Sequence, residues 1–311
     1  MSEQALTPIA DPAPSEERFD ERLKDTHRLP PLTILPAMGW FLWFLLIPLS
    51  IVAIYSFSTK GPYGGVVFQW TSENFVRATD WLYLRVFFNS LKLALITAVL
   101  CFLVGFPMAY VMATAPRAWR SVLLMAVVVP FWTTFVVRAY AIKVLLGDQG
   151  PLNQLLLALG WIHQPLPLSN STFSVLFGMV SNYLPFMVLP LYVSLEKFDF
   201  TLLEAARDLG ARSWSVLWRV LLPLNRAGII TGCVFVFTPA LGEFVIPDLL
   251  GGARTLLIGN LVTEQFLKTR DWPFGAALSL LLIATVLVSL VVQLRAEYRE
   301  RERALLSGER R

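Results

Sequence analysis

The chain has 311 residues, of which 56% are hydrophobic and only 15% are charged, and its formal net charge is +4. This apolar content lies outside the range of an ordinary soluble domain and indicates an integral membrane protein. The small basic excess includes no basic patch with interleaved aromatic residues, so we expect no nucleic-acid partner. Cys101 and Cys233 both fall inside apolar segments. We expect them to be packing residues, with no disulfide framework and no metal site.

Six windows of the sequence are apolar over the roughly 20 residues that a membrane helix needs. They lie at 34–57, 88–113, 119–145, 172–195, 226–247 and 274–294. The sequence thus predicts an all-α integral membrane protein with six transmembrane helices in one domain, residues 32–295. Residues 1–31 are polar and lack the basic start and cleavage site of a secretory signal, so we expect a disordered cytoplasmic tail. Residues 296–311 are predicted to form a second cytoplasmic tail.

Lysine and arginine are distributed unevenly between the loops. Four lie in the loop 197–225 and six lie at or beyond Arg295, whereas the segment 146–171 has none. Because cytoplasmic loops carry the excess of Lys and Arg, both termini and the loop 197–225 are predicted to lie in the cytoplasm. The segment Gly147 to Asn170 is then outside, where its apolar stretch Leu152 to Leu159 is predicted to form a half-helix on the outer surface.

The loop 197–225 has the pattern of a helical hairpin. Thr201 stands three residues before Glu204, which predicts a capping box at the start of a short helix. Gly210 is placed to take the left-handed conformation that ends such a helix. A second helix is expected near Ser213, and Pro223 should end it or begin the next element. Such a hairpin is suited to docking in a groove on a soluble partner.

The spacing within this hairpin resembles the EAA loop of ABC importer permeases, which reads Glu-Ala-Ala, three residues, Gly, nine residues, then Ile-x-Leu-Pro. The matching residues are Glu204, Ala205, Ala206, Gly210, Leu222 and Pro223, with Val220 in place of Ile. The resemblance implies a type I ABC importer permease (MetI-like) fold in which these residues couple to an ATPase. The chain has no Gly-rich phosphate loop and no catalytic triad signature. We therefore expect no enzyme activity and no cofactor, with ATP used by a separate subunit.

Segments outside the loop resemble the spermidine/putrescine permeases of polyamine importers, and most of all the first permease subunit of putrescine importers. These segments are 130–141, 150–153, 183–192, 239–252 and 270–273, within a resemblance that covers about residues 32–295. The family implies a second homologous permease subunit, two cytoplasmic ATP-binding subunits and a periplasmic polyamine-binding protein, assembled at the bacterial inner membrane. The implied function is the import of putrescine or spermidine.

Three other functions stay open at this stage. The same machine can carry another small organic solute, such as an amino-acid derivative or a phosphonate. An ion-coupled secondary transporter is a second alternative, although the inverted repeats and paired intramembrane acids that it predicts are not visible. A membrane scaffold that transports nothing is the third.

Polar and aromatic side chains recur near the middle of three predicted spans. At a rise of roughly 1.5 Å per residue, similar depths are reached by Trp132, Thr134, Asn182, Tyr183 and Phe237. Aromatic faces attract ammonium groups, and hydroxyls and amides can accept their hydrogen bonds. We expect these residues to line one passage for a cationic cargo, and ordinary helix packing is the alternative for each aromatic residue.

Glu243 is a carboxylate in the fifth window, where Pro239 and Gly242 can break the helix. A charge in a membrane span is costly and usually faces a cavity or a partner. One interpretation is a cation-attracting site near the outer mouth, with Asp248 beyond it. The other is an ion pair with Arg138, because Arg138 lies 19 residues along its own span and Glu243 about 17 along its own, so that the two share a depth.

Overall fold

The computed structural model describes residues 31–252 and 255–306, which are almost entirely helical. They belong to two compact units, Met1–Ile51 and Val52–Arg311. The described part of the first unit is a helix, α1, which runs from Pro31 to Ser56 and so ends in the second unit. Most of its large apolar side chains up to Ile51 are exposed, which suits a helix in contact with lipid. The predicted tail 1–31 lies outside the described residues, apart from Pro31.

The second unit consists of helices joined by short loops, together with one small antiparallel hairpin. In chain order its elements are β1 (Thr59–Lys60), β2 (Val66–Val67), α2 (Glu73–Ala78), α3 (Trp81–Thr114), α4 (Arg117–Val128), α5 (Phe135–Leu145), α6 (Pro151–Ala158), α7 (Thr172–Glu196), α8 (Thr201–Asp208), α9 (Ser213–Val216), α10 (Leu222–Leu224), α11 (Arg226–Leu241), α12 (Val245–Leu250), α13 (Ile258–Leu267) and α14 (Trp272–Leu306). A 3₁₀ turn, Val129–Trp132, follows α4, and a π-helical turn, Leu217–Leu221, joins α9 to α10. Helix α14 continues beyond the predicted domain limit at residue 295.

The core of this unit is formed where α3, α7 and α11 pack against one another. Small side chains on α3 allow the close approach, as is usual between membrane helices. Cys101 is fully buried there, with its thiol facing the carbonyl oxygen of Val180 at 3.8 Å. A Cβ at Gly105 would lie 3.1 Å from the side chain of Met187. Cys101 and Cys233 are both free, and both contribute to this packing.

Of the six predicted spans, four are single helices, the third is bent within its length, and the fifth, 226–247, begins just after a bend at Asn225. Long apolar stretches of α1, α3, α7 and α14 each meet the length and hydropathy of a membrane span. The segments Arg117–Trp132 and Phe135–Leu145 meet them only together and are bent by 91°, and Ser213–Leu224 and Arg226–Leu241 are bent by 73°. Six spans therefore result when each bent pair counts as one. The third predicted span, 119–145, corresponds to the pair that is bent by 91°.

The bend in the third span begins at Pro130, which has no N–H to donate to the helix. The chain tightens into the 3₁₀ turn, and Thr133 and Thr134 then adopt extended backbone conformations before α5 starts. The Thr133 hydroxyl donates to the carbonyl oxygen of Pro130 at 2.7 Å and so closes the turn. Because α5 leaves at a steep angle, counting residues along a straight helix does not give the depth of Arg138.

The turn before α14 is joined to α2 by a charged contact. Arg77 donates from Nη1 to the buried carboxylate of Asp271 at 2.8 Å, and its guanidinium lies 4.0 Å from the ring centroid of Phe274. Burial lowers the pKa of Arg77, but hydrogen bonds with Asp271 and Tyr83 outweigh it, so that this pKa lies above its ordinary value. The contact fixes the start of the last span.

The predicted half-helix is confirmed as α6, Pro151–Ala158. It is held by Asn153, which is fully buried. The Asn153 amide donates to the carbonyl oxygens of Gly147 and Leu166, each at 3.0 Å, and its oxygen accepts the N–H of Leu166 at 2.9 Å. All the polar groups of this side chain are thus used to close the loop 147–166.

Candidate functional site

Helix α8 does not begin with the predicted capping box. The carboxylate of Asp199 accepts both the backbone N–H of Thr201, at 3.0 Å, and the Thr201 hydroxyl, at 2.8 Å. Because its hydroxyl is already used in this turn, Thr201 is the first helical residue and does not cap the helix. Glu204 and Ala205 are exposed and Ala206 is half-buried. Glu204 therefore does not take part in a capping box, which is the structural role that the sequence suggested.

The rest of the hairpin follows the prediction. Gly210 has φ of +83° and ends α8, with its N–H donating to the carbonyl oxygen of Arg207 at 2.8 Å. The second helix starts at Ser213 as expected. Leu209 at the tip is 89% exposed, and Trp214 is 70% exposed. The hairpin therefore presents apolar side chains that no residue within 31–252 or 255–306 covers.

The end of the hairpin is joined to the bundle at a buried asparagine that sequence reasoning missed. Asn225 lies at the 73° bend, where its amide donates to the carbonyl oxygen of Leu221 at 2.9 Å. Its oxygen accepts the hydroxyl of Ser194 on α7 at 3.0 Å. Gly228 on α11 lies so close to α7 that a Cβ there would be 2.4 Å from the Ser194 Cβ. Leu222 and Pro223 form the short α10 just before this bend. In the sequence, the signal for this joint was a single amide side chain between two apolar segments.

Three of the predicted pathway residues meet in one cavity of about 340 Å³, which we call the midplane cavity. It lies between α7, the bend of the third span and the break after α11. Its polar lining consists of Arg138, Asn182, Tyr183 and Glu243. The other predicted pathway residues lie elsewhere. Trp132 and Thr134 are exposed, Phe237 packs against the core, and Asp248 lines a second cavity.

Glu243 is held by three hydrogen bonds at the predicted break of the fifth span. Helix α11 ends at Leu241, and one oxygen of the Glu243 carboxylate accepts the N–H groups of Val245, at 2.9 Å, and Ile246, at 3.2 Å. These are among the first N–H groups of α12, which have no partner within that helix. The other oxygen accepts the hydroxyl of Tyr183 on α7. Glu243 thus joins α12 to α7.

The second interpretation of Glu243, an ion pair with Arg138, is wrong for the part of the chain that the structure describes. Arg138 lines the same cavity, but its guanidinium lies 5.3 Å from the ring centroid of Phe131. Its Nε–H is buried and has no partner within residues 31–252 and 255–306. The Glu243 carboxylate instead accepts from Tyr183 and from the N–H groups of Val245 and Ile246.

Asn182 is the most unusual polar group of the cavity. It is only 4% exposed, and neither its amide nitrogen nor its oxygen has a partner among the residues that the structure describes. Leaving such a group unpaired costs about 1–3 kcal/mol. In a polar cavity the missing bonds are made by water or by a ligand. Asn182 and the Nε–H of Arg138 are therefore the groups in this cavity that are free to recognise something else.

Apolar helices of membrane-spanning length, a polar cavity between them and an exposed helical hairpin define a multi-span membrane protein of the transport class. Residues 102–301 match the family described as the inner membrane component of binding-protein-dependent transport systems. The chain belongs to that family, in the branch that holds the spermidine/putrescine permeases. The family resemblance predicted from the sequence is confirmed.

Two relatives are described as the spermidine/putrescine transport system permease protein PotB. The chain is 43% identical to the protein of Haemophilus influenzae over 261 residues, which is 84% of this chain and 91% of the relative. It is 43% identical to the protein of Escherichia coli over 263 residues, which is 85% of this chain and 96% of the relative.

The fold is similar to that of a chain of a bacterial alginate ABC transporter, crystallised in complex with an alginate pentasaccharide-bound periplasmic protein. The TM-score is 0.67 at 20% identity, covering 90% of this chain and 96% of that chain. At this identity the similarity concerns the fold alone. It confirms the predicted all-α ABC importer permease fold.

Proposed function

We propose that the chain is a permease subunit of an ATP-driven importer that moves polyamines, putrescine or spermidine, into the cytoplasm. The observation that carries this proposal is the 43% identity to two spermidine/putrescine permeases over more than four fifths of the chain. A periplasmic binding protein delivers the cargo, a second homologous permease completes the passage, and two ATP-binding subunits supply the energy.

The coupling surface of this proposal is the hairpin, with Glu204, Ala205, Ala206, Gly210, Leu222 and Pro223. Its exposed leucine and tryptophan side chains suit a groove on a soluble partner. The excess of Lys and Arg supports a cytoplasmic position for the hairpin and for both termini. The buried Asn225 bridge then carries movement of the docked hairpin to α7 and α11.

The cargo passes through the midplane cavity in this proposal. Phe131, Phe135, Tyr183 and Phe186 supply aromatic faces for an ammonium group. Asn182 offers an unused oxygen, and Glu243 contributes the negative charge. Arg138 adds a positive charge that opposes a cation, so binding there is weak, as a transit site requires.

A second cargo class is favoured by one observation. The Nε–H of Arg138 and the Nδ2–H groups of Asn182 are buried donors without partners in the described ranges, 31–252 and 255–306. A carboxylate or phosphonate would accept from both, whereas a protonated amine accepts from neither. Uptake of a labelled amino-acid derivative or phosphonate, with no uptake of either polyamine, would establish this alternative.

The decisive experiment measures uptake of labelled putrescine and spermidine by a deletion strain complemented with this chain or with Glu243→Gln. Glutamine keeps an oxygen for Val245 and Ile246 but removes the charge. We expect uptake to fall about tenfold, the equivalent of about 1.4 kcal/mol, with normal assembly of the complex. Glu243→Ala also removes the cap of α12 and should impair assembly. Full uptake by Glu243→Gln would rule out an electrostatic role for this carboxylate.

A further inference from the structure

A second and larger cavity, of about 560 Å³, lies between α12 and α13, and we call it the α12–α13 cavity. Its polar lining is Asp248, Thr255, Asn260, Thr263, Glu264 and Lys268. Asp248 is one of the predicted pathway residues that do not line the midplane cavity. The α12–α13 cavity therefore places two carboxylates and several neutral oxygens around one space.

The groups that stay free in this cavity are mostly acceptors. Asn260 donates its amide N–H to the carbonyl oxygen of Phe244 at 2.8 Å, which fixes the orientation of the amide. Its Oδ1 is buried and has no partner in the described part of the chain. Thr255 and Thr263 donate their hydroxyls to backbone carbonyls one turn earlier, so that their oxygens remain available.

The acidic side chains are also available to a ligand. Asp248 is exposed. The Glu264 carboxylate is 39% exposed and forms an ion pair with Lys268 at 3.8 Å, and the Lys268 side chain is 76% exposed. An exposed pair of this kind contributes little and exchanges its partner easily. Among the residues that the structure describes, Lys268 is the one cation in the lining, and its exposed side chain is free to move away.

The two cavities therefore differ in what they can bind. In the midplane cavity both oxygens of Glu243 already accept hydrogen bonds, and two of the free groups are donors, on Arg138 and Asn182. In the α12–α13 cavity the free groups of the described residues are carboxylates and neutral oxygens. An alkylammonium group can only donate. It fits the α12–α13 cavity better than the midplane cavity.

Phe244 separates the two cavities and lines both. The backbone beside it is pressed against α13, since a Cβ on Gly259 would lie 2.5 Å from the carbonyl oxygen of Gly242 and 2.8 Å from that of Glu243. Asn260 holds the Phe244 carbonyl from the same helix. The Phe244 ring is thus a wall that both cavities share.

We propose that the α12–α13 cavity is a separate binding site for an organic ammonium cation, which holds one end of a polyamine before the molecule passes Phe244. The proposal rests on the proposed function, because it takes a polyamine as the cargo. Selection between cationic and other solutes then occurs mainly in this cavity, and the midplane cavity serves transit.

The test compares Asp248→Asn, Glu264→Gln and the double variant in the assembled importer, with Glu73→Gln as a matched control. Glu73 is an exposed acid on α2 that does not line the cavity. We expect the KM for uptake to rise about two- to fivefold in each single variant and roughly tenfold in the double variant, in line with exposed ion pairs. The maximal rate should hold, and spermidine, with three charges, should lose more than putrescine.

Equilibrium binding of labelled spermidine to the purified complex separates this proposal from the proposed function. If the native importer transports neither amine, the proposed function fails, yet spermidine binding that is lost in the double variant still supports the cavity. The proposal is overturned if the double variant has an unchanged KM for both amines. It is also overturned if the two substitutions leave spermidine binding unchanged. The same loss in Glu73→Gln would overturn it as well, because the effect would then be that of net charge.

Discussion

Replacing Gly259 with alanine tests whether the contact between α13 and the break of the fifth span sets the position of Glu243. The added Cβ would lie 2.5 Å from the carbonyl oxygen of Gly242, 2.8 Å from that of Glu243 and 3.0 Å from the Glu243 carbonyl carbon. Favourable carbon–oxygen contacts lie at about 3.3–3.6 Å, so the backbone must move by roughly 0.8 Å. All three atoms belong to the main chain and cannot rotate away.

Overpacking of this kind costs about 1–3 kcal/mol. In an open helix the same change would instead stabilise by about 1 kcal/mol, because alanine is the better helix former. We therefore expect Gly259→Ala to lower the thermal unfolding midpoint of the complex in detergent. Polyamine uptake should fall as well, because a shift of the Glu243 backbone displaces its carboxylate from the midplane cavity.

Gly242→Ala is the matched control, because its Cβ would meet only the side chain of Leu282, at 3.9 Å. It adds the same methyl group to the other side of the contact, where there is room. We expect its unfolding midpoint and uptake to stay near those of the native chain. A Gly259→Ala variant that is as stable and as active as Gly242→Ala would refute the inference that α13 positions Glu243.

Two further predictions concern the hairpin and the turn before α14. Gly210→Ala and Gly160→Ala impose the same left-handed strain, about 1–2 kcal/mol, because φ is +83° and +70° and neither Cβ would meet an atom within 4 Å. Uptake should fall only for Gly210→Ala. An equal loss of uptake in both variants would contradict a role of Gly210 in coupling to the ATPase. Asp271→Asn removes the charged acceptor of Arg77, whose side chain is 41% exposed. Such bonds contribute about 1.5–3 kcal/mol, and exposure brings the expected loss nearer 1 kcal/mol. The unfolding midpoint should fall, and an unchanged midpoint would contradict the role of this contact.

The elements that could be predicted are those determined by local composition. Hydropathy located the spans, Pro239 and Gly242 located the break of the fifth span, and Gly210 identified the left-handed end of α8. Hydropathy reports the length and apolar character of a segment but not the direction of the chain. The 91° bend at Thr133 and Thr134 therefore had no signal beyond Pro130 itself.

The contacts of the candidate site were less predictable because they join distant parts of the chain. Glu243 binds Tyr183, which lies 60 residues earlier, and the choice between Tyr183 and Arg138 depends on how α7 packs. At the start of α8, a capping box and a turn closed by Asp199 both require the Thr201 side chain. The Asp199 carboxylate binds the hydroxyl that a capping box needs. Residue type indicated that Glu243 needs partners, and packing determined which partners it has.

The two bent helix pairs, Arg117–Trp132 with Phe135–Leu145 and Ser213–Leu224 with Arg226–Leu241, have a consequence for how the chain enters the bilayer. Helix α11 has 16 residues, or about 24 Å at the α-helical rise, which is shorter than the roughly 30 Å hydrocarbon core. During membrane insertion α1, α3, α7 and α14 are each recognisable as complete segments, whereas each arm of a bent pair is not. Substitutions near Thr133 or Asn225 are therefore expected to reduce the yield of inserted protein, even where the finished structure would tolerate them.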